Sequence, residues 1–190
     1  KEAWYKLVYT QDTNGSTPNR TALHRVGRYY AGATDGINEG MKPDPLEYSC
    51  QQNFTLLTTD GYWNDSFSAI GNQDNANSGY TTRAYGAYDG GLTGASNTLA
   101  DVAAYYYKTD LRTSGPLAVN NVPTSSRDTN PAQHMVTFTL GLGLEGFMDY
   151  QSDYESALTG DFAKIKAGTN NACSWTTGTC NWPVPSSNEP

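Results

Sequence analysis

Apolar residues recur along the chain at two different spacings, and these spacings predict where helices and strands lie. Residues 4–10, "WYKLVYT", are apolar enough for a strand or a short helix, and turn-forming residues follow them. A clear helix signal comes next, because Thr17 suits a capping position and Pro18 suits the first helical position. Gly32 can end this helix. Its apolar stripe repeats at helical spacing through Ala22, Leu23, Val26 and Tyr30.

Two short apolar runs have the character of β-strands. The run "NFTLLTT" at 53–59 ends at the turn-forming pair Asp60 and Gly61, and it is apolar enough to be buried on both faces. The run "HMVTFTLGLGL", which begins at His134, is the strongest strand signal in the chain.

Two further helices are predicted, one on each side of the second run. The first extends from about Asn97 to Thr109 with Ser96 as a possible cap, and its inner stripe is Leu99, Val102, Ala103 and Tyr106. The second crosses Gly160 and ends at Gly168, with apolar positions at Tyr154, Ala157, Leu158, Phe162 and Ile165.

The order helix, strand, helix, strand, helix predicts an α/β fold of Rossmann type with a parallel sheet. At 190 residues, the chain is expected to form a single domain over 1–190. Residues 62–96 lack periodicity and are rich in Gly, Asn, Asp and Tyr, so they are predicted to be a surface insertion. Ligands of such folds gather at the carboxyl ends of the strands, and Asp60 is expected there.

Composition and charge narrow the class of protein. The net charge of -7 and the pI near 4.6 would repel a phosphate backbone, which excludes nucleic acid as an expected partner. The longest apolar run, Met135 to Leu144, is interrupted by Thr and Gly and is too short to cross a bilayer. The chain begins at Lys1 without an apolar signal-peptide core, so we expect it to be an excised or processed piece of something larger.

The three cysteines favour an oxidising compartment. Cys173 and Cys180 bracket the short loop "CSWTTGTC", which predicts a local disulfide within a C-terminal coil at 169–190. Two reduced thiols are the alternative, since the spacing is the only evidence. Cys50 stands alone, either free or separated from its partner.

Several segments, taken in order, resemble one known family. A strand that ends in Thr-Asp-Gly is typical of von Willebrand factor A domains, and "LLTTDGYWND" is similar to the N-terminal region of the PilY/PilC family of type IV pilus tip adhesins and biogenesis factors. The segments "GSTPNRTALHRVGRYYAG", "SNTLADVAAYYYKTDLR", "QHMVTFTLGLGLEG" and "YESALTGDFAKIKAG" followed by "NWPVP" resemble the same family. The resemblance covers nearly the whole chain and implies a truncated A-type domain.

This resemblance implies a non-catalytic function at the cell surface. It implies a module of pilus biogenesis and adhesion, with twitching motility and surface sensing as associated roles. The implied partners are minor pilins of the type IV pilus and a host or surface receptor. The implied location is extracellular, at the cell surface or the pilus tip, after export through the periplasm.

The same resemblance implies an incomplete ion site. The family's pattern holds a divalent ion through an Asp-x-Ser-x-Ser motif, a Thr from a second loop and the Asp of Thr-Asp-Gly. Here the Thr corresponds to Thr17 and the Asp to Asp60, while Asp-x-Ser-x-Ser is absent. Asp12, Asn14 and Ser16 are an alternative substitute for the missing motif. Two oxygen ligands are too few for Mg²⁺, so we expect Mg²⁺ or Ca²⁺ in the full-length protein and no cofactor in this chain alone.

Each candidate site residue also has an ordinary structural role. Thr17 can simply cap a helix, and Asp60 can simply begin the turn before Gly61. Tyr62 and Trp63 could contact a ligand, although packing over the sheet edge is the commoner role for aromatic residues in this position.

A weak calcium-loop pattern follows in "GNQDNANSGY". It would use Asn72, Asp74 and Asn77, but it lacks the spacing and the terminal Glu of an EF-hand.

Two other classes of function stay open from the sequence. A secreted metal-assisted hydrolase would use Asp60 as a ligand or base, with His134 nearby. A self-assembling structural subunit would pair an exposed strand edge with a neighbouring chain.

Overall fold

The computed structural model describes residues 1–10, 15–73, 95–142, 149–154, 156–161 and 163. These residues form a small α/β arrangement of helices and a two-stranded parallel sheet. The elements are α1 Glu2–Tyr9, α2 Asn19–Tyr30, a 3₁₀ turn at Gly36–Asn38, β1 Asn53–Thr59, α3 Leu99–Lys108 and β2 Met135–Gly141.

Helix α2 lies close to its predicted position, but its first turn is built differently. The helix begins at Asn19, so Pro18 precedes it, and the carbonyl of Pro18 accepts the first helical hydrogen bond from Ala22 at 2.8 Å. The expected cap by Thr17 is wrong, because Thr17 lies before the capping position, which Pro18 occupies. The end at Gly32 is confirmed: its φ of +72° suits glycine, and its N–H donates to the carbonyl of Tyr29.

Helix α3 has a complete capping box at its start. The hydroxyl of Thr98 accepts from the N–H of Asp101 at 3.1 Å, and the carboxylate of Asp101 accepts from the N–H of Thr98 at 2.9 Å. The expected cap at Ser96 is therefore two residues too early. The chain between them turns at Asn97, whose φ is +62° and whose side-chain oxygen accepts the N–H groups of Ile70 and Gly71.

The two strands pair in parallel with a register that runs from Asn53 beside Met135 to Thr59 beside Gly141. Strand β1 has the predicted bounds, but the expectation of burial on both faces is wrong. On one face, Asn53 is 3% exposed and its partner Met135 is fully buried. On the other face, Leu56 is 64% exposed. Helices α2 and α3 pack against each other and against one face of the sheet, which leaves the other face uncovered by the described elements.

The core lies between the two helices and the inner face of the sheet. Its buried apolar residues are Leu23, Val102, Tyr106, Leu111 and Met135. The predicted stripes of α2 and α3 supply it, with Val26, Tyr30, Leu99 and Ala103 partly buried around it, whereas Ala22 is exposed. Gly27 is buried in α2 and lets the ring of Tyr106 come against the helix backbone, since a Cβ on Gly27 would lie 2.4 Å from ring carbons.

The ends of the chain differ from expectation where the structure describes them. Residues 4–10, left open between strand and helix, belong mostly to α1, which ends at Tyr9. The predicted helix across Gly160 is wrong at its start, because 151–154 and 156–160 form turns and bends and Gly160 has a φ of +85°.

Cys50 is exposed and unpaired within the described residues.

Some predicted features lie outside the described residues. These are the Cys173 to Cys180 disulfide, most of the insertion at 62–96 and two of the three calcium-loop residues, Asp74 and Asn77. Among the residues that are described, no helix is long and apolar enough to cross a membrane.

The contact between Gly27 and Tyr106 gives a direct test of how the two helices pack. We expect Gly27→Ala to lower the free energy of unfolding by about 1–3 kcal/mol, because the clash with the ring outweighs the better helix propensity of Ala. Urea denaturation would measure the change. Gly15→Ala is the control, since nothing lies within 4 Å of an added Cβ there, and a similar loss in both variants would contradict the packing argument.

Candidate functional site at the carboxyl end of the sheet

Asp60 immediately follows the last residue of β1 and is exposed at the carboxyl end of the strand. One of its oxygens accepts the N–H of Tyr62 at 3.3 Å, and the hydroxyl of Thr59 accepts the N–H of Gly61 at 3.0 Å. Gly61 has a φ of +92°, a conformation that favours glycine. Asp60 therefore does begin a turn, and that turn leaves its carboxylate on the surface.

The loop that carries Thr17 lies against the loop that follows Asp60. The N–H of Thr17 donates to the side-chain oxygen of Asn64 at 2.5 Å, and the N–H of Asn64 donates to the carbonyl of Thr17 at 3.2 Å. The amide of Asn19 donates both to the hydroxyl of Thr59 at 2.9 Å and to the carbonyl of Tyr62 at 3.0 Å. The start of α2 and the end of β1 thus form one rim, which we call the carboxyl rim: residues 15–19 and 59–65.

A buried ion pair lies beneath the carboxyl rim. Arg20 and Asp65 have side chains that are only 9% and 6% exposed, and the Nε of Arg20 lies 2.9 Å from the carboxylate of Asp65. Arg20 also donates to the carbonyls of Asp65 and Asn97. Its guanidinium carbon lies 3.6 Å from the centre of the Trp63 ring, a cation–π distance. Trp63 therefore packs, while Tyr62 is 50% exposed and available for contact.

Asp65 also takes the capping role that the sequence assigned to Thr17. Its second carboxylate oxygen accepts the N–H of Thr21 at 2.8 Å and the hydroxyl of Thr21 at 2.7 Å. Burial alone would raise the pKa of Asp65, but the hydrogen bonds from Thr21 and Arg20 outweigh burial, so the pKa lies below its usual value. A carboxylate at a helix N-terminus is also favoured by the helix dipole.

Neither Arg20 nor Asp65 was singled out from the sequence. Arg20 sits where a solvent-facing helix residue is expected, and Asp65 lies 45 positions away along the chain. The sequence contains only a weak indication of this ion pair. Asp65 follows the aromatic pair in "GYWND", and Arg20 follows Asn19 in the first turn of the helix. Only the fold brings the two side chains together.

The rim holds two of the oxygen groups that a divalent cation would need. Thr17 and Asp60 are both exposed on neighbouring loops. Among the described residues, however, no group of three or more His, Cys, Asp or Glu side chains could hold a metal ion. Mg²⁺ and Ca²⁺ take six or more oxygen ligands, so the protein oxygens identified here do not make up a site and no chemical step is assigned to an ion.

The two histidines lie away from the rim and have hydrogen-bond partners. His134 is 3% exposed; its Nδ1 lies 2.7 Å from the carbonyl oxygen of Ala132 and its Nε2 lies 3.0 Å from the carboxylate of Asp128. His24 is hydrogen-bonded to the hydroxyl of Tyr106 at 2.8 Å. Both side chains therefore act within the packed structure.

The strand register separates His134 from Asp60. His134 precedes the start of β2, whereas Asp60 follows the end of β1. Eight residue steps at about 3.3 Å each place the two residues about 26 Å apart along the strand direction. A hydrolase site built from Asp60 and His134 is incompatible with this geometry.

A concave surface lies near the other end of α2. It is a pocket of about 220 Å³ beside the last turn of the helix, with walls that include Tyr29, Met41, Pro43 and Pro45. This volume is below the range of about 300–1,000 Å³ that is usual for small-molecule sites. The carboxyl rim is therefore the better candidate for a functional surface.

Comparison with curated proteins shows what the chain is related to. It is 31% identical over 188 residues to the type IV pilus biogenesis factor PilY1 of Pseudomonas aeruginosa strain PAK, a match that covers 87% of this chain. The PilY1 of strain PAO1 is 31% identical over 199 residues and 93% of this chain, and that of strain UCBPP-PA14 is 32% identical over 181 residues and 87%. Most of this chain is homologous to part of PilY1.

The homology is distant and concerns a small part of the relatives. The chain spans 16% of the length of PilY1 from strains PAK and PAO1 and 15% of that from strain UCBPP-PA14. No family model matches the chain, and no solved structure matches it. The relation to PilY1 therefore rests on sequence similarity.

The buried pair of Arg20 and Asp65 predicts a large and pH-dependent contribution to stability. We expect Asp65→Ala to lower the free energy of unfolding at pH 7 by about 3–5 kcal/mol, because it leaves a buried charge unpaired and removes the cap of α2. The control is Asp35→Ala in the pair with Arg28, where the carboxylate is 85% exposed and the expected loss is below about 1 kcal/mol.

The sign of the pH effect follows from the lowered pKa of Asp65. The contribution is complete above the unfolded-state value of about 3.9 and is lost as the pH falls through the lower folded-state pKa. Urea denaturation at pH values from 7 to 2 would measure the free energy of unfolding of the unchanged protein and of Asp65→Ala. The difference between the two free energies should narrow below about pH 4. A difference that stays constant over this range would contradict the assignment.

The incomplete ligand set predicts weak binding of divalent ions. At about 5 mM Mg²⁺ or Ca²⁺, a site with a Kd no tighter than 5 mM stabilises the fold by no more than about 0.4 kcal/mol, so thermal unfolding should barely shift. Asp60→Asn and the unchanged protein should then behave alike. A shift of several degrees that Asp60→Asn abolishes would show that the chain completes a site by itself.

Proposed function

We propose that this chain is a non-catalytic module of a type IV pilus biogenesis protein and that it acts in pilus assembly and cell-surface adhesion. The homology to PilY1, which extends over 87–93% of the chain, is the observation that carries the proposal. The relatives are named as pilus biogenesis factors, and the adhesive role is our inference. The corresponding location is outside the cell, at its surface or at the pilus tip.

The fold supports one choice of binding surface for such a module. We propose a von Willebrand factor A-type module whose ligands meet the carboxyl rim. The parallel pairing of β1 and β2 supports this, because ligands of open parallel α/β sheets bind beyond the carboxyl ends of the strands. Thr17, Asp60 and Tyr62 are the exposed rim residues that we assign to ligand contact.

The rim is also organised in a way that favours binding. Asn19 and Asn64 connect its two loops by hydrogen bonds, and the pair of Arg20 and Asp65 fixes the loops from below. Loops that are already ordered lose less conformational entropy when a partner binds. The expected partners are minor pilins and a host or surface receptor that offers hydrogen-bond donors to Asp60 and a flat apolar group to Tyr62.

The proposal is tested in the organism that encodes the chain. Deleting the gene should abolish or strongly reduce surface pili and attachment, and the wild-type gene should restore both. The double variant Asp60→Ala/Tyr62→Ala should be made at normal levels and should reduce attachment about tenfold, as expected for the loss of about 1.4 kcal/mol of binding energy.

The control is Glu47→Ala, which removes an exposed carboxylate from the chain before the amino end of β1. This variant should restore both pili and attachment. A deletion strain that assembles pili and attaches normally would refute the proposed function. Normal attachment by the double variant would refute the assignment of the carboxyl rim alone.

A further inference from the structure

The tripeptide Thr-Asp-Gly occurs at two places in the described part of the chain. Thr59-Asp60-Gly61 lies at the end of β1, and Thr34-Asp35-Gly36 leads into the 3₁₀ turn at Gly36–Asn38. Aspartate followed by glycine is the pair most prone to isomerise, because glycine has no side chain to shield its nitrogen from the neighbouring carboxyl group. Since both sites have the same three residues, the fold is the main source of any difference between them.

Isomerisation of aspartate requires only water. The glycine nitrogen attacks Cγ of the protonated carboxyl group, an N–C bond forms, and one carboxyl oxygen leaves as water with the proton of the N–H group. Water then opens the resulting succinimide ring. Addition at the side-chain carbonyl restores aspartate, whereas addition at the main-chain carbonyl breaks that carbon's bond to nitrogen and leaves the chain running through the side chain as isoaspartate. The mass is unchanged, because one water is lost and one is gained.

Asp35 and Gly36 present both reacting groups to solvent. The carboxylate of Asp35 is 85% exposed and accepts no capping hydrogen bond from the 3₁₀ turn. Gly36 is exposed, and nothing lies within 4 Å of a Cβ added to it. Its N–H donates to no acceptor among the residues that the structure describes. The nitrogen is therefore free to approach Cγ of Asp35.

The guanidinium of Arg28 holds the Asp35 carboxylate only weakly. Its Nη2 lies 2.6 Å from one carboxylate oxygen and 3.3 Å from the carbonyl oxygen of Asp35. The carboxylate is on the surface, so water and salt compete with the ion pair and reduce its strength. The pair therefore slows the reaction at Asp35 without preventing it.

The fold restrains the same groups at Asp60 and Gly61. Gly61 is buried, and its N–H donates to the hydroxyl of Thr59 at 3.0 Å. One carboxylate oxygen of Asp60 accepts the N–H of Tyr62 at 3.3 Å, which fixes the side chain within the turn. The hydroxyl of Thr59 is itself held by the amide of Asn19 at 2.9 Å. The nitrogen of Gly61 can attack only after these hydrogen bonds break.

We propose that Asp35 is a site of spontaneous isoaspartate formation in the folded protein and that the fold protects Asp60 from the same reaction. Isoaspartate adds one methylene group to the main chain directly before the 3₁₀ turn. That turn is anchored by Asn38, which is fully buried and donates from its amide to the carbonyl of Arg25 at 3.0 Å. Ageing therefore alters the surface beyond the end of α2 and preserves the carboxylate of the carboxyl rim.

Peptide mapping of aged protein tests the proposal. The folded 190-residue chain and a sample unfolded in guanidinium chloride are kept at one temperature near neutral pH. A protease that cuts before aspartate does not cut before isoaspartate, so loss of the peptides that begin at Asp35 and Asp60 reports each site separately.

Each site is compared with its own rate in the unfolded sample. Folding should slow Asp35 less than about threefold, because an exposed ion pair is weak. It should slow Asp60 about thirtyfold, the factor expected when two hydrogen bonds must break first. An equal ratio of folded to unfolded rate at the two sites, or a larger slowing at Asp35, would overturn the proposal.

Two variants test the cause of the difference. Thr59→Val removes the hydroxyl that holds the N–H of Gly61, so the reaction at Asp60 should become about fivefold faster while Asp35 in the same molecule is unchanged. Asp35→Glu is the control for the assignment, because glutamate would have to close a larger ring; enzymatic methylation of isoaspartate should fall in the aged variant. Urea denaturation would show that both variants are folded. A folded Thr59→Val protein with no faster reaction at Asp60, or undiminished methylation of Asp35→Glu, would contradict the proposal.

Discussion

The buried ion pair between Arg20 and Asp65 holds together the two segments that form the carboxyl rim. The two residues belong to different segments, the first turn of α2 and the loop after β1, and their side chains are 9% and 6% exposed. One carboxylate neutralises the arginine and at the same time caps the helix through Thr21. Because a buried charge without a partner is costly, the helix start and the strand end must stay together.

The sheet shows an unusual distribution of polar and apolar residues. The inner positions of β1 include Asn53 and Thr59, while the outer positions carry Phe54 and Leu56. Some of the inner polar groups are satisfied: the amide of Asn53 donates to Gln133 at 3.1 Å and to the carbonyl of His134 at 3.0 Å, and Thr59 accepts from Asn19. The buried hydroxyls of the paired residues Thr55 and Thr137 have no hydrogen-bond partner among the described residues. Polar groups inside need only hydrogen bonds, whereas apolar groups outside are stabilised only when another surface excludes water.

These two features divide the molecule into surfaces with different chemistry. The carboxyl rim is polar, charged and ordered by hydrogen bonds, as suits recognition of a partner. The outward-facing positions of the sheet, such as Leu56 and Phe138, are apolar and exposed. The two surfaces are physically separate, because the carboxyl rim lies beyond the end of β1 and the outward-facing positions run along the strands.

The sequence by itself determined the kinds of element and most of their positions. Strand β1 was predicted residue by residue, and the end of α2 at Gly32 followed from glycine's access to positive φ. The placement of Asp60 directly after the strand was equally clear. All three predictions depend only on residues that are neighbours in the chain.

Tertiary structure decided which group caps α2, which face of the sheet is covered and how far His134 lies from Asp60. Each depends on residues that are distant in sequence: Asp65 lies 45 positions from Arg20, and β1 pairs with a strand about 80 positions further on. Local propensity favoured Thr17 as the cap, because a hydroxyl just before a proline can cap a helix that has no other partner. A carboxylate that also neutralises a buried arginine is a stronger partner, and only the folded chain brings it there.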